Sequence, residues 1–300
     1  MLGILALIVG SLSFGLTALP SLAGGNSGDD PSTGPDADLE PFTDQSDLVV
    51  SDEHADTLED VLAEFDDSLP DPTRIDGALR IDTGAGDDVV VGGGEADIIA
   101  AGDGDDLVAG GAGNDRVDLG HGDDTYGLNP FLEDYEPEHL RALGLLELGD
   151  DTVRGGAGND TLSDRFGANR IIGNQGADLL IGLDDDSEAV PTPDLIRGGF
   201  GNDTIHADEG DTVQGGRGAD TITLYLPPAI GDAEPQPIII EDFVANLDSL
   251  DLDGLDDASD VTIRDIEDGS GAEILLYDKV VARVLGGADL TLAEIGVTAG

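Results

Sequence analysis

Residues Thr83–Gly127 read TGAGDDVVV, GGGEADIIA, AGDGDDLVA, GGAGNDRVD and LGHGDDTYG, five units of nine residues with no remainder. Glycine recurs at the second position of every unit (Gly84, Gly93, Gly102, Gly111, Gly120) and at the fourth position of four (Gly86, Gly104, Gly113, Gly122). Two glycines one residue apart predict a tight turn with positive φ, which a side chain would obstruct. The sixth position is Asp throughout (Asp88, Asp97, Asp106, Asp115, Asp124), and the eighth is apolar or aromatic (Val90, Ile99, Val108, Val117, Tyr126). One inward residue between two outward ones describes a three-residue strand. A short strand, a glycine turn and a fixed carboxylate at this period predict a stacked solenoid, because no single unit can bury its own apolar face.

Such a stack concentrates negative charge. If two units make one coil, Asp88, Asp106 and Asp124 lie along one edge and Asp97 and Asp115 along the other. Adjacent coils sit about 4.8 Å apart. Like carboxylates at that distance repel by about 1 kcal/mol per pair in a water-like dielectric, and by several in a partly buried turn. Cations between the coils are therefore expected. Ca2+ suits the donors best, being a hard ion that takes many oxygens from carboxylates and from the carbonyls that glycine turns leave open.

The pattern G-G-x-G-x-D-x-U-x, complete in GGAGNDRVD (Gly110–Asp118), resembles the calcium-binding nonapeptide of RTX, or haemolysin-type, proteins. The resemblance implies an all-β fold, a parallel β-roll. It implies several Ca2+ ions in the turns, held by sixth-position Asp side chains and by main-chain carbonyls of the glycine turn. It also implies export through a type I secretion apparatus.

The period breaks after Gly127 and resumes twice. The second block carries Asp151, Asp160, Asn169 and Asp178 at the sixth position, with turn glycines Gly156, Gly158 and Gly176. The third carries Asp194, Asp203, Asp211 and Asp220, with Gly199, Gly201, Gly216 and Gly218. Asn169 offers one oxygen and no charge, so sites sharing it are expected to be weaker. Two units depart further from the pattern. Glu95 replaces the fourth-position glycine, and the unit containing Asp211 is one residue short. The roll is thus expected over 74–223, in blocks 83–127, 146–181 and 189–223 separated by inserts 128–145 and 182–188. Pro137 followed by Leu140 and Leu143 predicts a helix in the first insert, lying over the side of the roll.

The flanks differ in kind. Residues 1–23 are almost wholly apolar and end in Ser21-Leu22-Ala23, which fits a signal peptide or an N-terminal membrane anchor, a leader helix in either case. Contact with a membrane is expected only there. Residues 24–73 are rich in Gly, Pro, Ser and Asp and are expected to form an acidic linker. Within them Leu58, Val61, Leu62 and Phe65 have the spacing of one short amphipathic helix. From 224 to 300 the glycine turns stop, and β-forming runs around the hairpin signal Asp268–Gly271 predict a β cap that closes the open end of the roll. Asp289 is placed to cap a short last helix in DLTLAEI. The I-x-D-F and D-x-L-D-L strands with a terminal hairpin are similar to the C-terminal secretion-signal region of RTX proteins. Ser249, Asp251, Asp253 and Gly254 echo an EF-hand, but its twelfth position falls on Asp260 rather than Glu.

Composition narrows the function. With 66 acidic and 12 basic residues the net charge is -54, which leaves no basic surface for nucleic acid. Aromatic residues make up 4% and Trp is absent, so a metal is expected to supply what packing does not. Zero cysteine excludes disulfides and thiolate chemistry. Neither H-E-x-x-H nor G-x-S-x-G occurs, and the segments outside the repeats are short for a catalytic domain, so the chain is not expected to be an enzyme. Two readings remain. One is a calcium-binding secreted or cell-surface protein of structural or adhesive role, and the other a calcium-stabilised module that binds polysaccharide or assists a secreted enzyme.

Overall fold

The computed structural model describes residues 48–51, 73–75, 77–127, 149–184, 192–226, 234–255, 260–287, 290–291 and 294–299. The leader 1–23, the helix expected around Leu58–Phe65 and the insert 128–145 lie outside these residues, as does most of the insert 182–188.

In chain order the first strands are β1 (Leu48–Ser51), β2 (Thr73–Ile75), β3 (Arg80–Ala85), β4 (Val89–Val91), β5 (Ile98–Asp103), β6 (Leu107–Ala109), β7 (Arg116–His121) and β8 (Thr125–Tyr126). The later repeats form β9 (Thr152–Ala157), β10 (Thr161–Ser163), β11 (Arg170–Gln175), β12 (Leu179–Gly182), β13 (Leu195–Phe200), β14 (Thr204–Ala207), β15 (Thr212–Arg217) and β16 (Thr221–Tyr225). The C-terminal region adds β17 (Ile238–Ile240), β18 (Ser249–Leu255), β19 (Val261–Asp265), β20 (Gly271–Leu276), β21 (Lys279–Leu285) and β22 (Ile295–Ala299).

Successive repeat strands alternate between two eleven-stranded sheets. One runs β2-β1-β4-β6-β8-β10-β12-β14-β16-β18-β22, and the other runs β19-β20-β21-β17-β15-β13-β11-β9-β7-β5-β3. Pairing among the repeats is parallel, so two units make one coil and the fold is a parallel β-roll. Period two along each strand turns one residue inward per short strand. The eighth positions therefore stack into columns. In the first sheet Val90, Val108, Tyr126, Leu162, Leu180, Ile205 and Ile222 are in register and buried. In the second sheet Ile99, Val117, Val153, Ile171, Ile196 and Val213 are likewise in register and buried. Both columns belong to one apolar cluster, so the core is a narrow seam between the sheets.

The ends depart from the expected outline. β1 lies within the stretch read as a linker, yet it pairs with β4 and places Val49 next to Val90 in the core column. At the other end β18 continues the first sheet in register with β16, placing Leu250 beside Ile222. Ser249–Leu255 is thus a strand of the roll rather than a calcium loop of EF-hand type. The hairpin at Asp268–Gly271 is present, with β19 and β20 antiparallel and the Ser270 N–H donating to Asp268 Oδ1. A second hairpin joins β20 to β21 through Tyr277 and Asp278, both at positive φ, the conformation that two-residue hairpin turns require. The helix expected in DLTLAEI is corrected in part: Ile295 opens β22, which pairs in parallel with β18 and buries its side chain at the end of the first-sheet column. Sheet continuation outweighs the local helix signal there because it buries Ile295 against Leu250. Among the described residues no helix is long and apolar enough to cross a membrane.

Candidate metal centres

Each coil turns twice, and each turn carries one sixth-position residue. The turns from the second sheet to the first hold Asp88, Asp106, Asp124, Asp160, Asp178, Asp203 and Asp220. The opposite turns hold Asp97, Asp115, Asp151, Asn169, Asp194 and Asp211. All of them are buried.

One contact builds both ladders. The N–H of each sixth residue donates to Oδ1 of the sixth residue one coil further on. On the first edge Asp88 donates to Asp106, Asp106 to Asp124, Asp124 to Asp160, Asp160 to Asp178, Asp178 to Asp203 and Asp203 to Asp220, at 2.8–3.0 Å. On the second, Asp97 donates to Asp115, Asp115 to Asp151, Asp151 to Asn169, Asn169 to Asp194 and Asp194 to Asp211, at 2.6–2.9 Å. The pairing runs straight through the first insert, where the sequence separation doubles from 18 to 36. It also survives the short unit, where the separation is 17.

In seven ladder residues the second carboxylate oxygen is unsatisfied. Oδ2 of Asp106, Asp115, Asp124, Asp160, Asp178, Asp203 and Asp220 is buried without a hydrogen-bond donor. A buried acceptor with no partner costs about 1–3 kcal/mol, more when charged. Burial is the chief cause that pushes Asp106, Asp115 and Asp160 up to about 7 and Asp124, Asp178 and Asp203 up to about 6. Neighbouring ladder carboxylates add to the rise in Asp106 and Asp115, while the N–H donated to Oδ1 opposes it. Asp194 and Asp211 are raised as well, by burial first and then by neighbouring carboxylates, Asp184 and Asp208 among them.

The glycine turns supply the other oxygens. Gly102, Gly104, Gly120, Gly122, Gly156 and Gly158 have φ between 112° and 145°, and Gly199, Gly201, Gly216 and Gly218 between 102° and 149°. A Cβ on Gly104 would overlap the carbonyl oxygen of Gly86, and one on Gly122 that of Gly104. The carbonyls of one coil thus face the bare Cα of the next, in space that any side chain would fill. Asn174 occupies a second position at φ 77°, a conformation that Asn tolerates better than other side chains. Gly93 is corrected: it does not take the positive φ predicted for second positions. Its unit has Glu95 at the fourth position, and there the Gly93 N–H folds back to donate to Asp97 Oδ2 at 3.2 Å.

Three features go beyond the site residues read from the sequence. The first is the glycine at position one: a Cβ on Gly155, Gly173 or Gly198 would overlap Oδ2 of Asp160, Asp178 or Asp203 of the same unit. The G-G pair that opens many units was its signal. The second is Asp248, whose Oδ1 accepts the Asp220 N–H and so extends the first ladder by a step. Its signal was Asp248-Ser249-Leu250, a carboxylate two residues before a core position, without the glycines. The third is Asp164, buried beside Asp151 and hydrogen-bonded to it through the side chain.

Among the described residues no three acidic or histidine side chains converge as a metal cluster. A cation here must draw on carboxylates from successive coils together with turn carbonyls. Hard, flexible oxygen donors of this kind fit Ca2+ and would not satisfy a metal that prefers nitrogen or sulfur. The unpaired Oδ2 atoms and the carbonyl columns meet that requirement.

The family model for the RTX calcium-binding nonapeptide repeat (4 copies) matches residues 80–99, 91–126, 147–180, 165–186 and 207–224. No curated protein matches the chain. Residues 187–206 fall outside the matched segments, yet β13 and β14 keep the register and Asp194 and Asp203 keep their places in the ladders. Repeat pattern, coil register and paired carboxylate ladders agree that the chain carries RTX calcium-binding nonapeptide repeats.

Proposed function

We propose that the protein is a secreted or cell-surface structural or adhesive module whose roll forms on meeting Ca2+ outside the cell. The observation that carries this reading is the column of buried Oδ2 atoms without donors, in a chain of net charge -54. Sixth-position carboxylates and the carbonyls of turn positions two and four would hold the ions, which when bound supply the positive charge that the ladders lack. Without that charge, self-repulsion along both edges opposes the stacking of coils, and the aromatic-poor core is thin compensation. An expanded acidic chain is what export from a calcium-poor cytosol needs, and millimolar calcium outside then favours the compact form by linkage. The leader 1–23 would tether the protein or be removed, and the region from 224 onward would engage a type I secretion apparatus. No catalytic role is proposed.

Circular dichroism of the full chain tests the central claim. The β signal is expected to appear cooperatively as Ca2+ is added to chelated protein and to vanish on chelation at neutral pH. A β signal indifferent to chelator would end the proposal.

A further inference from the structure

The basic residues of this acidic chain are not spread evenly. Apart from Arg74 in β2, every Lys or Arg within a described strand belongs to the second sheet. Three of them gather on its outward face at the middle of the roll. Ile172 of β11 is in register with Arg154 of β9 on one side and Arg197 of β13 on the other, and Arg170 lies two residues before Ile172 on the same face. A strand spacing of about 4.8 Å and a rise of about 3.3 Å per residue put the Cα of Arg170 roughly 8 Å from those of both other arginines. The side chains are half-buried, and the buried residues Val153, Ile171 and Ile196 lie on the opposite face of the same strands.

Among the described residues this cluster makes no ion pair. Asp118 is in register with Arg154 but makes no ion pair with it, whereas Arg264 and Arg283 at the end of the sheet share Glu273. Nη1 of Arg154 and Nε of Arg197 are buried without hydrogen-bond partners. Burial first, and then the charges of Arg197 and Arg154, lower the pKa of Arg170. Three like charges around one isoleucine, two with unmet donors, form an arrangement that a bound anion would relieve twice over, by charge and by hydrogen bonds. Guanidinium forks match the paired oxygens of sulfate, phosphate and their esters. The calcium ladders run along the turns, at the edges of the sheets, and at about 0.1 M salt the screening length of roughly 10 Å lets a local positive island act within a negative molecule.

We propose that Arg154, Arg170 and Arg197 form a binding site for a tetrahedral oxyanion, free or carried as an ester on a larger molecule. The site is separate from the calcium turns and goes beyond the calcium reading. Sulfate is the probe of choice because it tolerates millimolar calcium. Isothermal titration of sodium sulfate into the calcium-loaded full chain, at constant ionic strength, is expected to show saturable binding. The double variant Arg154→Gln/Arg197→Gln should bind at least tenfold more weakly while keeping its calcium-dependent circular dichroism. The control Arg264→Gln should bind as the parent does. If the double variant fails to fold, Arg170→Gln serves in its place, since it removes a guanidinium without touching the two buried nitrogens. In a second arm, dextran sulfate retained in competition with free sulfate, with unmodified dextran not retained, assigns the site to the ester on a polymer. Binding of free sulfate alone assigns it to the ion. Absence of saturable sulfate binding, or binding undiminished in the arginine variants, overturns the proposal.

Discussion

The main-chain N–H of Asp106 donates to Oδ1 of Asp124 at 2.9 Å, and Oδ1 of Asp106 in turn accepts the N–H of Asp88 at 2.8 Å. Asp106 therefore fixes the coil before it with one oxygen and holds the other unsatisfied. If the ladders hold calcium as proposed, stability of the roll and affinity for cations reside in the same side chain.

That coupling gives different outcomes on the two edges. Asp106→Ala leaves the buried Asp88 N–H without its acceptor, a loss of about 1–3 kcal/mol. It also removes one carboxylate from the gaps on either side of it. Calcium sites between Asp88 and Asp124 are expected to weaken, with the Asp97–Asp115–Asp151 edge affected less. Tyr126 reports on that second edge, since its hydroxyl meets Asp151 Oδ2 at 3.4 Å. Tyrosine difference absorbance during calcium titration should shift more for Asp115→Ala than for Asp106→Ala. Equal shifts would contradict the separation of the ladders.

Burial raises Asp106, Asp115 and Asp160 to about 7 from an ordinary value of 3.8, so the metal-free roll binds more protons than the unfolded chain between those limits. Stability falls with rising pH wherever the folded state binds more protons. The metal-free roll is thus expected to be most stable below about pH 4 and to lose that contribution as the pH climbs toward 7. Calcium reverses the trend, because its ligands must be ionised. Chelated protein should show β-structure at pH 4 that fades by pH 8. Calcium-loaded protein should hold it at pH 8 and lose affinity on acidification, with protons released on binding. Chelated protein that gains β-structure as the pH rises would contradict this sign.

The first-position glycines give a test free of charge changes. Gly173→Ala places a Cβ against Asp178 Oδ2 and Asp178 Cγ, so the carboxylate has to move. A drop in calcium affinity is expected at that turn. Ala101→Gly, at the same position of the unit carrying Asp106, removes only a buried methyl group and should cost roughly 1 kcal/mol of stability with the calcium affinity kept. Titrations of both variants by calorimetry separate the two effects.

Much of this arrangement is legible in the nine-residue period. Glycine and aspartate spacing fixes the turn, and alternation of units assigns Asp88, Asp106 and Asp124 to one edge and Asp97 and Asp115 to the other, as the hydrogen bonds place them. What the period misses lies where a side chain does the same work without the glycines. Asp248 joins the ladder from a stretch read as cap, because a ladder position needs only an N–H and a carboxylate at the coil spacing. β1 joins the first sheet from a stretch read as linker, because an open sheet edge accepts any short apolar run in register. The turn at Tyr277 and Asp278 is hidden because neither residue is the glycine or asparagine that such turns favour. The arginine cluster is invisible in sequence, since Arg154 and Arg197 are neighbours of one strand only once the insert 182–188 has been skipped.

Asn169 tests whether the ladder is a charge device or only a hydrogen-bond device. It keeps the pairing, with its Oδ1 accepting the Asp151 N–H at 2.9 Å and its own main-chain N–H donating to Asp194 Oδ1 at 2.6 Å. Yet it turns Nδ2 toward Phe166 O where an Asp would present an oxygen. Asp164, buried in the same turn, meets Asp151 instead and brings back one carboxylate. Asn169→Asp would add a further carboxylate to the turn region that already holds Asp151, Asp164 and Asp194. The metal-free roll should then lose stability at neutral pH and bind calcium more tightly there. Asn169→Asp combined with Asp164→Asn should retain the tighter binding with less loss of metal-free stability, because the count of carboxylates returns to that of the parent. Melting curves at pH 7 with and without calcium decide it. If Asn169→Asp leaves both curves unchanged, the ladder works through its hydrogen bonds alone.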